Sequence, residues 1–214
     1  MPWSTLAMRY PSEWRPGSEG ARNALLGHCG AVLWLTGFSG AGKSTLARGL
    51  EKQMLEKRVL AAVVDGDVLR TGLSNNLGFT PEDRSENVRR ATEVALYLAE
   101  AGAVAIVALI APLRVDREKA ASRVRERGVA YAEVFINAPF DVCEKRDPKG
   151  LYKRARAGEI PAFTGVGAPY QCPLHPDLEI ATGRDTPDQS LAKLVAFALK
   201  FARVPARARS QSRW

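Results

Sequence analysis

Apolar residues cluster in five short runs, at 31–36, 59–64, 103–110, 131–137 and 178–181. The second and third, Val59 to Val64 and Ala103 to Ile110, are apolar at consecutive positions, the pattern of strands buried on both faces of a parallel sheet. Between the runs, apolar positions fall at helical spacing. Leu46, Leu50 and Met54 make a stripe over about 43–57, and Val88, Ala91, Ala95, Leu98 and Ala99 another over 81–101. The second helix carries its own start and stop: Thr80 as N-cap, Pro81 at the first helical position, Asp83 in the first turn and Gly102 past the end. Helices are also predicted over 115–127, closed by Gly128, over 139–146, and from the capping box Thr186-Pro187-Asp188-Gln189 to about residue 202. Strands alternating with helices predict a single α/β domain, a doubly wound parallel sheet flanked by helices.

Two stretches break the pattern. Residues 1 to about 28 are interrupted by Pro2, Pro11, Pro16, Gly17 and Gly20, and residues 147–176 lose periodicity while holding Lys149, Lys153, Arg154, Arg156 and scattered glycines. The reading is a loosely ordered lead-in over 1–21, a domain over 22–202 with a mobile lid at about 147–176, and a disordered basic tail over 203–214.

Composition narrows the class. A chain of 214 residues, 46% hydrophobic and 25% charged, suits one globular core. No apolar run approaches the roughly 20 residues that span a bilayer, so no membrane association is expected. The start, Met1 to Arg9, lacks a basic segment followed by an apolar block, so no secretory signal is expected. Cys29, Cys143 and Cys172 are odd in number and widely spaced, which points to a reducing compartment, the cytoplasm, without disulfides or a zinc site. The net charge is +8, but Arg203, Arg207, Arg209 and Arg213 place half of it in the tail. The remainder fits polyanionic small substrates, and nucleic acid is not expected as a partner.

The chemistry is announced by Gly37-Phe38-Ser39-Gly40-Ala41-Gly42-Lys43-Ser44-Thr45, between an apolar run and a helix. G-x-x-x-x-G-K-S in a strand–loop–helix context is a phosphate-binding P-loop, so the domain is of the P-loop NTPase type. Glycines let successive backbone N–H groups curl around phosphate oxygens and deliver them to a helix N-terminus. Lys43 is expected on the β- and γ-phosphates of ATP, and the Ser44 hydroxyl on Mg²⁺. Asp65-Gly66-Asp67 ends the second strand, at the sheet edge where ligands bind in open α/β folds. Arg84 lies four residues before Val88, which extends an apolar stripe, and a buried guanidinium needs an anion. Arg84, with Asn87 three residues on, is therefore a ligand candidate, while Glu86, Arg89, Arg90 and Glu93 suit a solvated face paired at helical spacing. No N-K-x-D guanine-reading motif is present, and the small size, basic lid and paired carboxylates fit a small-molecule kinase.

Further residues identify the kind. Beside the P-loop, the chain carries Asp65-Gly66-Asp67 with Arg70, Leu77-Gly78-Phe79, Asp83-Arg84 with Glu86-Asn87, and Ile110 with Pro112. Then come Arg146-Asp147, Lys149-Gly150-Leu151-Tyr152, Ala155-Arg156, Phe163-Thr164-Gly165 and Pro169-Tyr170. On these residues, over about 22–200, the chain resembles the adenylylsulfate kinase (APS kinase) family, which phosphorylates adenosine 5′-phosphosulfate (APS) to PAPS. The resemblance implies that Gly37, Ser39, Gly40, Ala41, Gly42, Lys43, Ser44 and Thr45 bind ATP with Mg²⁺. It implies that Asp65 acts as general base or as a metal-shell acid through water, and that Asp67 positions the acceptor. Arg70, Arg84 and Asn87 hold the phosphosulfate, Phe79 and Phe163 sandwich the adenine of APS, and Ile110, Ala111 and Ala162 lie beside it. Lys149, with Arg154 or Arg156, closes over the phosphates. A homodimer and an association with ATP sulfurylase belong to the same expectation.

One position departs from the family. Many members carry Ser where this chain has Ala111, and in some that Ser is phosphorylated; Ala111 has no hydroxyl, so direct transfer without a phosphoserine is expected. The residues alone leave two alternatives: a P-loop kinase for another small hydroxyl substrate, or a non-catalytic nucleotide-binding regulatory module.

Overall fold

A computed structural model describes residues 19–202; the rest of the expected lead-in and the basic tail lie outside the described residues. The elements are α1 (Glu19–Leu26), β1 (Ala31–Thr36), α2 (Lys43–Glu56), β2 (Ala61–Asp65), α3 (Gly66–Thr71), α4 (Pro81–Glu100) and β3 (Val104–Ala108). They continue as α5 (Arg114–Glu126), β4 (Ala130–Ile136), α6 (Phe140–Arg146), α7 (Leu151–Arg156), β5 (Leu178–Ile180) and α8 (Pro187–Phe201). The strands form one parallel sheet in the order β2-β3-β1-β4-β5, with Leu33 opposite Ile106 on one side and Ala132 on the other. No helix among the described residues is long and apolar enough to cross a membrane.

Every residue of β1 is buried, and the pleat sends alternate side chains to opposite layers. Leu33 and Leu35 join Leu50, Met54, Ile106, Val134 and Leu194, the layer of α2 and α8. Val32 and Trp34 join Val88, Ala91, Val107 and Val124, the layer of α4 and α5. A fully buried residue of this size contributes roughly 1.5–3 kcal/mol, and a one-residue slip would exchange the two layers. The register of β1 is thus strongly held, and with it the loop that leaves its carboxyl end at the switch point between β1 and β3, whose following helices α2 and α5 lie on opposite faces.

The helix signals act where the sequence places them. Thr80 Oγ1 accepts the Asp83 N–H at 3.2 Å with Pro81 in the first turn, and Thr186 and Gln189 form both halves of a capping box.

The strand ends differ from expectation where groups elsewhere in the chain take up the ladder positions. The second strand, expected from residue 59, starts at Ala61, because the Val59 N–H is taken by Met54 O at the end of α2 and the Leu60 N–H by His28 Nε2. The third, expected to reach Ile110, ends at Ala108; the Ile110 carbonyl accepts from Thr36 Oγ1, and Ala111 turns the chain away at φ 41°. Three short helices, α1, α3 and α7, were not legible; α7 lies near the start of the segment 147–176 expected to form a lid.

Candidate active site

The loop from Gly37 to Gly42 depends on glycine at defined points. A Cβ on Gly37 (φ 150°) would stand 2.4 Å from the Ile136 carbonyl, and one on Gly40 (φ 77°) 2.9 Å from that of Cys143. All five carbonyls from residue 37 to 41 are held by other groups. Lys43 Nζ donates to Gly37 O at 2.9 Å and to Phe38 O at 2.8 Å, and the Tyr152 hydroxyl donates to Ser39 O at 2.9 Å. Arg146 Nη1 donates to Gly40 O at 3.3 Å, and Thr182 Oγ1 to Ala41 O at 2.8 Å. With its carbonyls occupied, the loop offers N–H groups other than that of Ala41, which donates to Phe38 O at 3.2 Å, followed by the unpaired N–H groups of the first turn of α2. The site is a built anion cradle. Ser44 is partly exposed and Thr45 exposed on that turn.

Lys43 is buried, and burial pushes its ammonium down to about 8, with Lys149 lowering it further and Cys143, Asp67 and Asp65 opposing. A phosphate beside Nζ reverses this, since an anion favours the charged form.

Asp65 ends β2 and is 7% exposed; its Oδ1 caps α3 by accepting the Asp67 N–H at 2.9 Å. Asp67 pairs with Lys149 of the lid segment, 82 residues on. Both aspartates, Lys43 and Lys149 therefore share one edge of the sheet.

A second cluster lies across α3 and α4. Arg70 sits 4.4 Å over the Phe79 ring and donates to Leu77 O and Gly78 O at 3.2 and 2.8 Å. Arg84 lies 6.0 Å from the same ring; it donates to Phe79 O at 2.9 Å, to Thr164 Oγ1 at 2.6 Å and to Ala162 O at 2.6 Å. Burial lowers both guanidiniums, and Arg70 lowers Arg84 further. Among the described residues neither donates to a carboxylate. Asn87 is buried one turn further along α4, and its Oδ1 has no partner. Two half-desolvated cations and a buried acceptor without a donor make a polar site that the protein itself leaves incomplete.

The expected site residues are thus divided into a P-loop end and an Arg70–Arg84–Asn87 end, with Asp67–Lys149 between P-loop and lid. The two phenylalanines differ: Phe79 is 59% exposed, whereas Phe163 is 6% exposed, its ring edge-on to Tyr152 at 5.0 Å. Arg154 pairs with Glu159 and Arg156 with Glu144, whereas Lys149 reaches the carboxylate edge. Glu86 binds Arg89 and Arg90, as the helical spacing predicts, and these arginines hold its carboxyl down at about 2. Arg90 does more than line a solvated face, since it also donates to Leu73 O and Asn76 Oδ1 and fastens the loop before α4.

Sequence reasoning missed Arg117, which is 2% exposed on α5 and bonded to Glu133, Ala111 O and Gln171 O. A signal existed: residues 117, 120, 121 and 124 share one helix stripe, and an arginine among Ala120, Ala121 and Val124 is out of place unless it is used.

The pattern of the family described as adenylylsulphate kinase matches residues 29–181. The chain is 47% identical over 171 residues to the adenylyl-sulfate kinase of Staphylococcus epidermidis, covering 80% of this chain and 85% of the relative. It is 50% identical over 175 residues to that of Paraburkholderia xenovorans, covering 82% of this chain and 96% of the relative. Among solved structures it is similar to the Mycobacterium tuberculosis APS kinase CysC in complex with AMPPNP and APS, with a TM-score of 0.78 and 43% identity over 80% of this chain and 98% of the other.

Proposed function

The chain belongs to the adenylylsulphate kinase family, and on that premise we propose that it transfers the γ-phosphoryl group of ATP in line to the 3′-hydroxyl of APS, giving PAPS and ADP. The observation that carries the reading is the pairing of two anion sites on one sheet edge. The P-loop is held open by its occupied carbonyls, and Arg70 and Arg84 flank Phe79 with no carboxylate among the described residues bonded to either. A kinase acting on a neutral hydroxyl substrate needs only the first.

In this reading, Lys43 and the N–H groups of the loop through Thr45 hold the ATP phosphates. Asp65 takes the proton of the 3′-hydroxyl as the new P–O bond forms and ADP leaves, while Asp67 positions the acceptor. Arg70, Arg84 and Asn87 hold the phosphosulfate; Phe79 and Phe163 take the adenine, with the backbone of Ile110, Ala111 and Ala162 beside it. Lys149 closes the lid over the phosphates and excludes water. Catalysis is then mostly positioning and charge neutralisation. Ala111 offers no hydroxyl, so the phosphoryl group passes directly between substrates and none remains on residue 111.

Magnesium belongs to the same proposal. Among the described residues no group of three or more His, Cys, Asp or Glu could hold a metal ion. A Ser44 hydroxyl on the first turn of α2 and a nearby Asp65 suit Mg²⁺, which keeps several waters and is otherwise held by substrate phosphates. When bound, it neutralises charge on the β- and γ-phosphate oxygens. The resemblance carries three further elements of the proposal: a homodimer, association with an ATP sulfurylase, and a cytoplasmic site of action.

The test is ATP consumption with APS, compared with adenosine, AMP and gluconate as acceptors. APS-dependent turnover far above the others is expected. Turnover with another acceptor and none with APS overturns the assignment.

A further inference from the structure

Arg117 is the most deeply buried cation of the described chain, and its three bonds go to three separate segments. Nε donates to Glu133 Oε1 at 2.6 Å, Nη1 to Ala111 O at 2.7 Å and Nη2 to Gln171 O at 2.7 Å. The guanidinium also lies 5.8 Å from the centre of the Tyr170 ring. Glu133, on β4, is held in turn by its N–H to Asp177 Oδ2 at 2.8 Å.

What these bonds clamp is the exit from β3. The Ala111 carbonyl leaves a residue at φ 41°, a left-handed conformation that a side chain resists. Its neighbours are tied as well: Ile110 O accepts from Thr36 Oγ1 at 2.6 Å, and Pro112 O accepts the Gln171 N–H at 2.9 Å. Thr36 Oγ1 meets the Tyr170 hydroxyl at 2.9 Å, which closes the circuit. Residues 110–112 at the ligand edge are thus locked to residues 170–171, the trailing end of the lid segment, with the guanidinium at the centre.

Burying a charge to hold an apolar layer together is poor value, since a leucine in the same stripe fills the space with no desolvation cost. A planar fork that meets three acceptors in fixed directions is something only arginine provides. We propose that Arg117 is a positioning residue for the acceptor: it fixes the strained Ile110–Ala111 backbone beside the acceptor nucleobase and anchors the end of the lid that does not move. This rests on the reading that the acceptor lies against Ile110 and Ala111. Arg117 itself bonds no residue from Gly37 to Thr45. Thr36, the residue before that loop, keeps its own bonds to Ile110 O and Tyr170 when the guanidinium is removed, so the effect of Arg117 falls mainly on the acceptor.

The test is steady-state kinetics with ATP and APS varied separately on the unaltered protein, R117M, R117K and the double variant R117M/A111G. The expected result for R117M is a KM for APS raised tenfold or more with the KM for ATP within twofold, and R117K falls between. Ala111→Gly in the R117M background lowers the APS KM threefold or more, because glycine takes this φ without resistance. A merely structural Arg117 moves both KM values together and gains nothing from the glycine; either outcome overturns the proposal. Should R117M fail to fold by circular dichroism, R117K decides, and an unaltered ratio of the two KM values in it overturns the proposal. Unaltered protein that turns over with APS keeps the proposed function even when the variants shift both substrates equally, whereas absence of APS turnover in the unaltered protein overturns both readings.

Discussion

Arg84 donates to the carbonyl of Ala162 at 2.6 Å across 78 residues of sequence. Because the same guanidinium bonds Phe79 O and Thr164 Oγ1, the start of α4 and the segment around Phe163 are held on one cation. The two phenylalanines expected to bracket a nucleobase are therefore linked before any ligand arrives.

Replacing Arg84 with Ala removes that link and the charge together. A buried charge-assisted contact is worth roughly 2–3 kcal/mol, so the KM for APS should rise by tens to a hundredfold while that for ATP changes little. Initial rates with each substrate varied in turn decide it, and equal losses for both would make Arg84 a structural residue only.

The buried Lys43 gives ATP binding a pH dependence of defined sign. With the free ammonium lowered to about 8 by burial, most of it is neutral at pH 9, and phosphate binding restores the charge. Affinity is then full below about 8 and weakens as pH rises through it, and binding takes up close to one proton at pH 9. Titration calorimetry in buffers of different ionisation enthalpy measures this uptake. The K43R variant should abolish it, because guanidinium stays charged; unchanged uptake in K43R would place the titrating group elsewhere.

How much of this was legible follows the physics of each part. The P-loop, the N-cap at Thr80, the capping box at Thr186 and the five strands are local patterns, and the structure places them within a residue or two. Arg84 and Asn87 were legible because a charge and an amide stand on an apolar stripe. Arg117 stands on one too, but its partners Glu133 and Gln171 lie 16 and 54 residues away, and no local spacing reveals them. The ends of the second and third strands were misjudged for a like reason: His28 and Thr36, far along the chain, take up groups that the apolar pattern assigns to the ladder.

Tyr152 ties α7 to the loop after β1 through one hydroxyl, while its ring is buried between Phe140 and Phe163. Tyr152→Phe keeps the ring and loses the bond to Ser39 O. A neutral hydrogen bond of this kind contributes about 0.5–1.5 kcal/mol, which predicts a KM for ATP raised about two- to tenfold and a melting temperature lowered by a few degrees, about 2–4 °C per kcal/mol for a domain this size. Separate KM measurements and a thermal melt test both, and a change confined to APS would show that the hydroxyl does not serve the P-loop.

The pair of Asp67 and Lys149 separates function from stability. Both side chains are at least half exposed, at 67% and 50%, and exposed ion pairs contribute about 0–1 kcal/mol to folding. Nothing in its burial makes this pair a structural strut, although it spans from the edge of β2 to the lid. Asp67→Asn is nearly isosteric and retains a hydrogen-bond acceptor, so the melting temperature should stay within about 4 °C. If the pair guides Lys149 as the lid closes, turnover at saturating ATP and APS should fall tenfold or more, and added salt should slow the unaltered protein more than the variant, because screening weakens an attraction the variant lacks. A variant that melts much earlier with its turnover intact would reverse the assignment, making the contact a fastening of the lid and not part of its closing.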